Sequence, residues 1–390
     1  MMTTIVHISA DFPDPLVPDK TKAVQSLIEA APSFRHVVYS LNRVSWRSGV
    51  AARPFGDGHL AIAYGAPPCG IRLQNYLIPV ADLILDDLDR RGLVPDLIHA
   101  HKFTVDGLVA HRVAGLTGCP FIASIWGDTD RRIFEAKPTL RNTFRAIARE
   151  AILLLPPAPW TAEYFAGALA LDPGKFQLLP VITKADTILP PVHCEAPRLV
   201  SAFASQSWKR KGFHRLVLAV GKASEKFEEI SLDVFGHGGP KALIDMTGHI
   251  RQAGVGARVT LKPAIDHGEV QNVMNRYAGF VLPSRPETYG MVYAEALLAG
   301  VPVLWSKNEG IDGLFNDAGI GYCCDPRSTD DIAAGLCYML AEQRRLKEQI
   351  ARMQAEGAFD LLRREAIGAR YRQLISLAIG EQAQATASAA

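Results

Sequence analysis

The stretch GFVLPSRPETYGMVYAEALLAGVPVLWSKNEGIDGL, residues 279–314, carries the strongest indication of the fold. Its first residues, 279–282, form a short apolar run that predicts a buried strand ending at Pro283. A helix is predicted to begin around Tyr289–Met291 and to end at Gly300. Because the first N–H groups of a helix have no partners within it, a helix start directly after a strand suits an anion such as a diphosphate.

Two glutamates flank the start of this helix. Glu287 lies just before it, and Glu295 lies about two turns into it. Glu287 can therefore point towards a ligand, whereas Glu295 lies about 80° further round the helix. The apolar neighbours Ala294, Ala296 and Leu297 argue against a solvated position for Glu295. The alternative role for Glu287 is that of a carboxylate capping the helix.

This block resembles the E-x7-E element of glycosyltransferases with the GT-B fold, specifically those of the retaining family 4 (glycosyl transferases group 1). The resemblance rests on two glutamates with seven residues between them, on the Tyr289–Gly290 pair and on the AL-AG-PV pattern that follows. It covers most of the C-terminal half. It implies an α/β GT-B fold of two Rossmann-like domains with the active site in the cleft between them. It also implies that Glu287 orients hydroxyls of the donor sugar and that Glu295 holds the ribose.

Further blocks of the C-terminal half are similar to the same family. KRKGF, residues 209–213, stands where the family carries its Lys–Gly, so Lys211 would meet the donor diphosphate; the alternative is a surface charge. DVFGHGGP, residues 233–240, is similar to the family's glycine-rich turn, and RVTLKP, residues 258–263, stands where the backbone borders the nucleotide base. The donor-binding residues implied are Glu295, Lys211, Tyr289, Gly290, Met291, Gly236, Pro263 and Ser205.

The sequence departs from the family at two positions. The family places an Arg six residues before its conserved Lys, and Ser205 stands at that position here. The family often has His–Gly where this chain has Trp126 before Gly127 and Asp128. DLIHAH, residues 96–101, resembles the family's D-x-x-H-x-H strand end, so His101 or His99 could take the place of that histidine, or could simply be hydrogen-bonded. The catalytic candidates are therefore Glu287, Lys211, Asp128 and His101.

The composition excludes several classes of protein. Forty-two Lys and Arg against forty Asp and Glu leave a net charge of +2, so no strong field of one sign favours nucleic acid. No stretch reaches about 18 apolar residues, and MMTTIVHISA lacks a basic region before an apolar core, so neither a membrane span nor a signal peptide is expected. The six cysteines include no C-x-x-C pair, which argues against zinc or disulfides and favours a cytoplasmic protein.

Short apolar runs alternate with amphipathic stretches along the chain, a pattern typical of α/β domains with mostly parallel sheets. A proline-rich break at 180–197 predicts a linker. The expected organisation is an N-terminal Rossmann-like, acceptor-side domain at 1–185, a C-terminal nucleotide-sugar-binding domain at 186–363, a helix at 364–380 that crosses back onto the first domain, and a disordered tail at 381–390.

The stretch 131–150 is basic, with six cations and two anions, and is predicted to be helical. Three arginines share one face of it at spacings of four residues: Arg141, Arg145 and Arg149. With Phe144 and Ile147 beside them, they could contact an anionic membrane or a lipid-linked acceptor, or form an ordinary solvated face. Lys20 and Lys22 could bind an anionic acceptor, or remain solvated in their loop.

The function predicted from this resemblance is retaining transfer of a sugar from a nucleotide diphosphate sugar to a glycan, lipid-linked or small-molecule acceptor in polysaccharide or glycoconjugate biosynthesis. Lys211 and the amides of Tyr289–Met291 would stabilise the charge that grows on the diphosphate, so no metal or other cofactor is expected. Two alternatives stay open, namely epimerisation of a sugar nucleotide on the same fold and a donor-binding protein with weak activity. Fold resemblance alone does not decide between these chemistries.

Overall fold

The computed structural model describes residues 2–266, 268–316 and 318–389, with side chains as far as residue 381. The chain divides into two compact units. The first comprises residues 1–157, 161–181 and 367–390, and the second comprises residues 158–160 and 182–366. The main boundary thus follows Val181, whereas the sequence predicts it after residue 185. The C-terminal segment from Ile367 belongs to the first unit.

The first unit contains a seven-stranded sheet in the order β3-β4-β2-β1-β5-β6-β7. All neighbouring strands are parallel except β3 and β4. The strands are β1 Thr4–Ser9, β2 Arg35–Val44, β3 Ala51–Phe55, β4 His59–Gly65, β5 Leu97–Ala100, β6 Phe121–Ser124 and β7 Leu154–Leu155. The helices that lie wholly or mostly in this unit are α1 Ala23–Glu29, α2 Leu73–Arg90, α3 Val105–Thr117, α4 Gly127–Ala136, α5 Arg141–Glu150, α6 Pro159–Leu169 and α13 Arg364–Ala389.

The central strands of this sheet are buried on both faces, as parallel sheets require. Every residue of β1 is buried. Its Val6 and Ile8 belong to one apolar core with Val80 of α2 and Val109 of α3. The carboxyl end of β1 is therefore held firmly beside that of β5.

The second unit contains a six-stranded, all-parallel sheet in the order β10-β9-β8-β11-β12-β13. The strands are β8 Arg198–Ala202, β9 Ser231–Phe235, β10 Val259–Lys262, β11 Gly279–Val281, β12 Val303–Ser306 and β13 Gly321–Cys324. The helices are α7 Phe213–Ala223, α8 Pro240–Gln252, α9 Val270–Met274, α10 Met291–Leu298, α11 Thr329–Ala341 and α12 Gln343–Ala355.

The strand order of the second unit reverses between β8 and β11. The chain runs outward from β8 through β9 to β10, and then returns to place β11 on the other side of β8. In open α/β sheets, ligands bind outside the carboxyl ends of the strands at such a reversal. The loops after β8 and β11 are therefore the expected binding site of this unit.

The structure corrects two expectations from the sequence. The basic stretch 131–150 does not form one helix but contributes to two, α4 and α5, because Pro138 interrupts it. The backbone of α13 is helical as far as Ala389, whereas the composition predicts disorder from residue 381; Ala390 lies outside the described residues. No helix in the described part of the chain is long and apolar enough to cross a bilayer.

Candidate functional site

A glycine brings together the loops that follow β8 and β11. Gly212 adopts a φ of +68°, and a Cβ at this position would lie 2.1 Å from the carbonyl oxygen of Pro283. Any other residue would force the two loops apart. The close approach lets the Arg285 N–H donate to the carbonyl of Arg210 at 2.7 Å. The KRKGF motif is thus fixed against the turn that precedes Glu287.

Lys211 and Glu287 form an ion pair at this point. The Ser284 hydroxyl donates to the same carboxylate oxygen of Glu287 at 2.8 Å. Burial by itself would raise the pKa of Glu287, but the ammonium of Lys211, the two hydrogen bonds and the charge of Arg210 hold it below its ordinary value. The site therefore contains an ionised carboxylate beside the ammonium group of Lys211, a pairing that the sequence did not predict.

The backbone of Glu287 is held by the loop that follows β12. Its N–H donates to the carboxylate of Glu309 at 2.7 Å, and its carbonyl accepts the N–H of Gly310 at 2.9 Å. The Glu309 carboxylate also lies 3.8 Å from Nε of Arg285. Glu309 was not among the residues predicted for the site. Its position three residues after a buried strand was the available signal, because carboxyl ends of parallel strands share one edge of the sheet.

Helix α10 begins directly after this turn, as the sequence predicts. Gly290 precedes it with a φ of +70°, and a Cβ there would lie 2.6 Å from the ring of Tyr293. Gly290, and not Glu287, occupies the N-cap position, and the Glu287 carboxylate bonds to Lys211 and Ser284. The uncapped start, with Met291 as its first residue, leaves amide groups able to bind an anion. Tyr289 is buried, and its hydroxyl has no hydrogen-bond partner among the described residues.

Glu295 lies half-buried on α10. Its neighbour is Lys184, whereas the neighbour of Glu287 is Lys211. Burial raises its pKa to about 7, and the backbone N–H and charge of Lys184 only partly oppose this effect. Lys184 lies in the proline-rich break at 180–197 and was not among the residues predicted for the site. Glu295 is therefore a carboxyl group that gains or loses a proton near neutral pH.

The glycine-rich turn after β9 packs on Ser205. A Cβ on Gly238 would lie 2.5 Å from Cβ of Ser205, and one on Gly236 would lie 2.0 Å from the carbonyl oxygen of Phe203. The side chain of Ser205 is consequently buried beneath the turn instead of being exposed to a ligand. Pro263 is exposed and follows β10, the edge strand on the same side of the sheet.

His101 belongs to a cluster of buried histidines in the first unit. Nitrogen atoms of His7, His99 and His101 lie within 4.8 Å of one another, a spacing compatible with a metal site. However, Nδ1 of His99 is 2.7 Å from the hydroxyl of Tyr371, and its Nε2 is 2.8 Å from that of Ser124. Hydrogen bonds within the protein therefore account for both ring nitrogens of His99.

The remaining hydrogen bonds determine which nitrogen of each neutral histidine carries the proton. Nε2 of His36 lies 2.7 Å from the carbonyl oxygen of Ala31, which can only accept, so this nitrogen is protonated. Nδ1 of His36 then accepts from Nε2 of His7, and Nδ1 of His7 accepts from Nε2 of His101. Burial lowers the pKa of His7 and His101, which favours these neutral forms. His101 is thus left with an unprotonated Nδ1.

Asp128 lies in the first turn of α4, where Oδ1 is 3.3 Å from Nε of Arg132. The neighbouring Asp130, which was not among the predicted residues, has the larger structural role. Its carboxylate accepts the Trp126 N–H at 2.7 Å and both the N–H and the hydroxyl of Thr104. Asp130 thereby joins the loops that follow β5 and β6.

The apolar side of α5 faces the core of the first unit. Phe144 and Ile147 are fully buried there. They are therefore not available to enter a membrane, contrary to the amphipathic arrangement that the sequence suggests. Arg141 and Arg149 remain exposed. Any contact of this helix with an anionic surface would depend on charge alone.

Comparison with known proteins identifies related sequences and folds. Residues 195–356 match the family described as Glycosyl transferases group 1. The chain is 24% identical over 387 residues to a glycogen synthase from Mycobacterium tuberculosis, covering 91% of each chain. Among solved structures, it is similar to sucrose-phosphate synthase from Thermosynechococcus elongatus, with a TM-score of 0.71, 19% identity and coverage of 96% of this chain and 100% of the other. It is also similar to HepE from Anabaena in complex with UDP, with a TM-score of 0.67, 15% identity and the same two coverages.

Proposed function

Because this chain is a glycosyltransferase with the GT-B fold, we propose that its second unit binds a nucleoside diphosphate sugar and that the sugar is transferred with retention of its anomeric configuration. The observation that carries this proposal is the Lys211–Glu287 ion pair, located where the strand order reverses and beside the uncapped start of α10. A cation and free helix amides at one point suit a diphosphate.

The chemistry assigned to these groups is mainly electrostatic. When the bond between the sugar and the diphosphate breaks, negative charge grows on the leaving diphosphate, and Lys211 with the first amides of α10 stabilises it. Glu287 is ionised, so it accepts hydrogen bonds from donor-sugar hydroxyls. Its position is maintained by Ser284 and Glu309, so little reorganisation is needed as the reaction proceeds. The carboxylate of Glu295 accepts hydrogen bonds from the ribose hydroxyls.

The comparisons support a nucleotide-sugar donor and a saccharide-type product. HepE is described in complexes with UDP and with UDP-glucose, and the other relatives are named as synthases of glycogen and of sucrose phosphate. Membership of the retaining family 4 and a role in polysaccharide or glycoconjugate biosynthesis form part of the same proposal. They rest on the E-x7-E block and the KRKGF motif.

The decisive experiment uses a panel of UDP-, GDP- and ADP-sugars with saturation-transfer and proton NMR detection. We expect one nucleotide class to bind and the α-anomeric donor to give an α-linked product when an acceptor is supplied. Glu287→Gln should reduce turnover while leaving affinity for the nucleoside diphosphate nearly unchanged. A β-linked product would contradict retention. Isomerisation of the donor without acceptor would favour the epimerase alternative, and binding without any turnover would favour the donor-binding protein.

A further inference from the structure

The first unit contains a cavity of about 700 Å³ at the carboxyl edge of its sheet. Residues that follow or end β1, β2, β4 and β5 line it, and α4 closes one side. The volume lies in the range of sites that enclose small molecules. None of the donor-binding groups proposed above lies in this unit, so the cavity has no assigned occupant.

The charges that line the cavity are all positive. Five basic side chains contribute to its wall, namely Lys20, Arg43, Lys102, Arg132 and Lys137, and no acidic residue does. Carboxylates behind the wall compensate three of these cations. Lys20 pairs with Asp14 at 2.9 Å, Lys102 with Asp11 at 2.7 Å and Arg132 with Asp128 at 3.3 Å. The buried Asp106 and Asp130 also act on Lys102.

The two remaining cations supply the excess charge. In the described part of the chain, neither Arg43 nor Lys137 makes an ion pair. The ammonium of Lys137 instead donates to the carbonyl of Cys69, a neutral acceptor that also lines the cavity. A small ligand with a negative group at this end of the cavity would neutralise both cations.

A buried amide also belongs to this wall. Asn42 is almost fully buried and donates from Nδ2 to Asp14 at 2.9 Å. Its Oδ1 is itself buried, so this atom is not exposed to a ligand in the cavity. The cavity therefore offers an anionic ligand the two uncompensated cations, Arg43 and Lys137.

We propose that this cavity binds the acceptor of the transfer reaction and that the acceptor is a small polyhydroxylated anion, a sugar or cyclitol that carries a phosphate or carboxylate group. Arg43 and Lys137 bind the anionic group. The identification of this ligand as the acceptor rests on the proposed function. The preference of the cavity for an anion does not depend on it.

The test is calorimetric titration of the full chain, with UDP present, using matched pairs of probes. The pairs are glucose 6-phosphate and glucose, fructose 6-phosphate and fructose, inositol 1-phosphate and inositol, and glucuronate and glucose. We expect at least one anionic member to bind tenfold or more tightly than its neutral counterpart, and its affinity to fall with salt. Comparison of the three phosphate probes with glucuronate then shows whether the preferred anionic group is a phosphate or a carboxylate.

Substitutions of the cavity cations test whether the anionic probe binds in this cavity. Arg43→Gln and Lys137→Gln should each weaken the preferred anion by about tenfold, as expected for the loss of a charge-assisted hydrogen bond. Arg53→Gln, an exposed cation of the same unit that does not line the cavity, is the matched control and should have no effect. Equal binding of anionic and neutral probes, or equal effects of Arg53→Gln and the two cavity variants, would overturn the proposal.

The same titrations separate failure of this inference from failure of the proposed function. If UDP binds and no anion is preferred, the anionic acceptor is excluded and the donor site stands. If no nucleotide binds while a sugar phosphate does, the cavity is an anion site but the donor assignment is wrong.

Discussion

Lys211 forms an ion pair with Glu287, which lies 76 residues further along the chain. The pair joins the loops that follow β8 and β11, the two adjacent strands between which the strand order reverses. It thus stands at the position where the topology of the sheet favours a ligand. A donor diphosphate bound there would place a second anion beside the ammonium of Lys211.

We expect Lys211→Ala to abolish detectable transfer and to weaken binding of UDP, because the diphosphate loses its cation while the buried Glu287 loses its counter-ion. The measurements are turnover and calorimetric affinity for UDP. Lys209→Ala is the control, since the Lys209 ammonium lies 5.3 Å from the centre of the Trp208 ring and makes no contact with Glu287. A near-native rate for Lys211→Ala would mean that Lys209 or Arg210 supplies the cation for the diphosphate.

The raised pKa of Glu295 predicts a pH-dependent stability. Between the ordinary value of 4.5 and about 7, the folded chain binds a proton that the unfolded chain has released, so this contribution to stability is lost as pH rises through that interval. Glu295→Gln removes the ionisation and keeps an acceptor for the Lys184 N–H. At pH 8 its free energy of unfolding should therefore exceed that of the native chain by about 1–3 kcal/mol, and its melting temperature should be higher. Both differences should vanish near pH 4.5.

The same residue tests the ribose assignment. At pH 8, Glu295→Ala should weaken binding of UDP by about 1–3 kcal/mol, the usual loss for a hydrogen bond to a charged group. Affinity of the native chain for UDP should also fall as pH is lowered below about 7, because the carboxylate becomes protonated. If titration gives native affinity for Glu295→Ala, the residue does not hold the ribose.

Replacement of Ser205 by arginine is not expected to strengthen binding of the donor. From the sequence alone, Ser205→Arg should add a second cation for the diphosphate. In the structure, Gly238 packs against Ser205 so closely that a larger side chain must displace the turn. We expect a loss of stability of roughly 1–3 kcal/mol, the usual cost of overpacking, and weaker binding of UDP. Tighter UDP binding at an unchanged melting temperature would show that the turn can move.

Gly212→Ala should destabilise the second unit, because its Cβ would lie 2.1 Å from a carbonyl oxygen in a neighbouring loop. Gly254→Ala is a matched control. Gly254 also has a φ of +68°, but a Cβ there meets nothing within 4 Å. We expect the control to lose about 1 kcal/mol from backbone strain and Gly212→Ala to lose clearly more in urea denaturation. Equal losses would mean that backbone strain alone, and not the close approach of the loops, requires glycine at position 212.

Association with a membrane through α5 is expected to be weak and purely electrostatic. Each basic residue near an anionic leaflet contributes about 1 kcal/mol, and salt weakens that attraction. Co-sedimentation with anionic liposomes should therefore occur only at low ionic strength. It should be lost when the three arginines are replaced together, in a variant carrying Arg141→Glu, Arg145→Glu and Arg149→Glu. Native protein that stays in the supernatant at low salt would leave α5 as an ordinary solvated helix.

Much of the architecture could be predicted from the sequence because it depends on local patterns. The alternation of apolar runs and amphipathic helices correctly predicted two α/β units with mostly parallel sheets, and β11 lies within a residue of its predicted bounds, 279–282. Strands β3 and β4 were not predicted. They form an antiparallel pair in a stretch without strong apolar periodicity, and their pairing with each other and with β2 stabilises them.

The sequence by itself determined the start of α10, the glycine before it and the two glutamates around it, since caps, turns and helical spacing are local properties. Only the tertiary structure decided which distant groups meet. His7 and His101 are 94 residues apart, and Lys211 and Glu287 are 76 residues apart. The cations of the cavity come from separate loops, from β2 and from α4. Such long-range contacts depend on strand order and on parallel pairing across the sheet, which local periodicity does not specify.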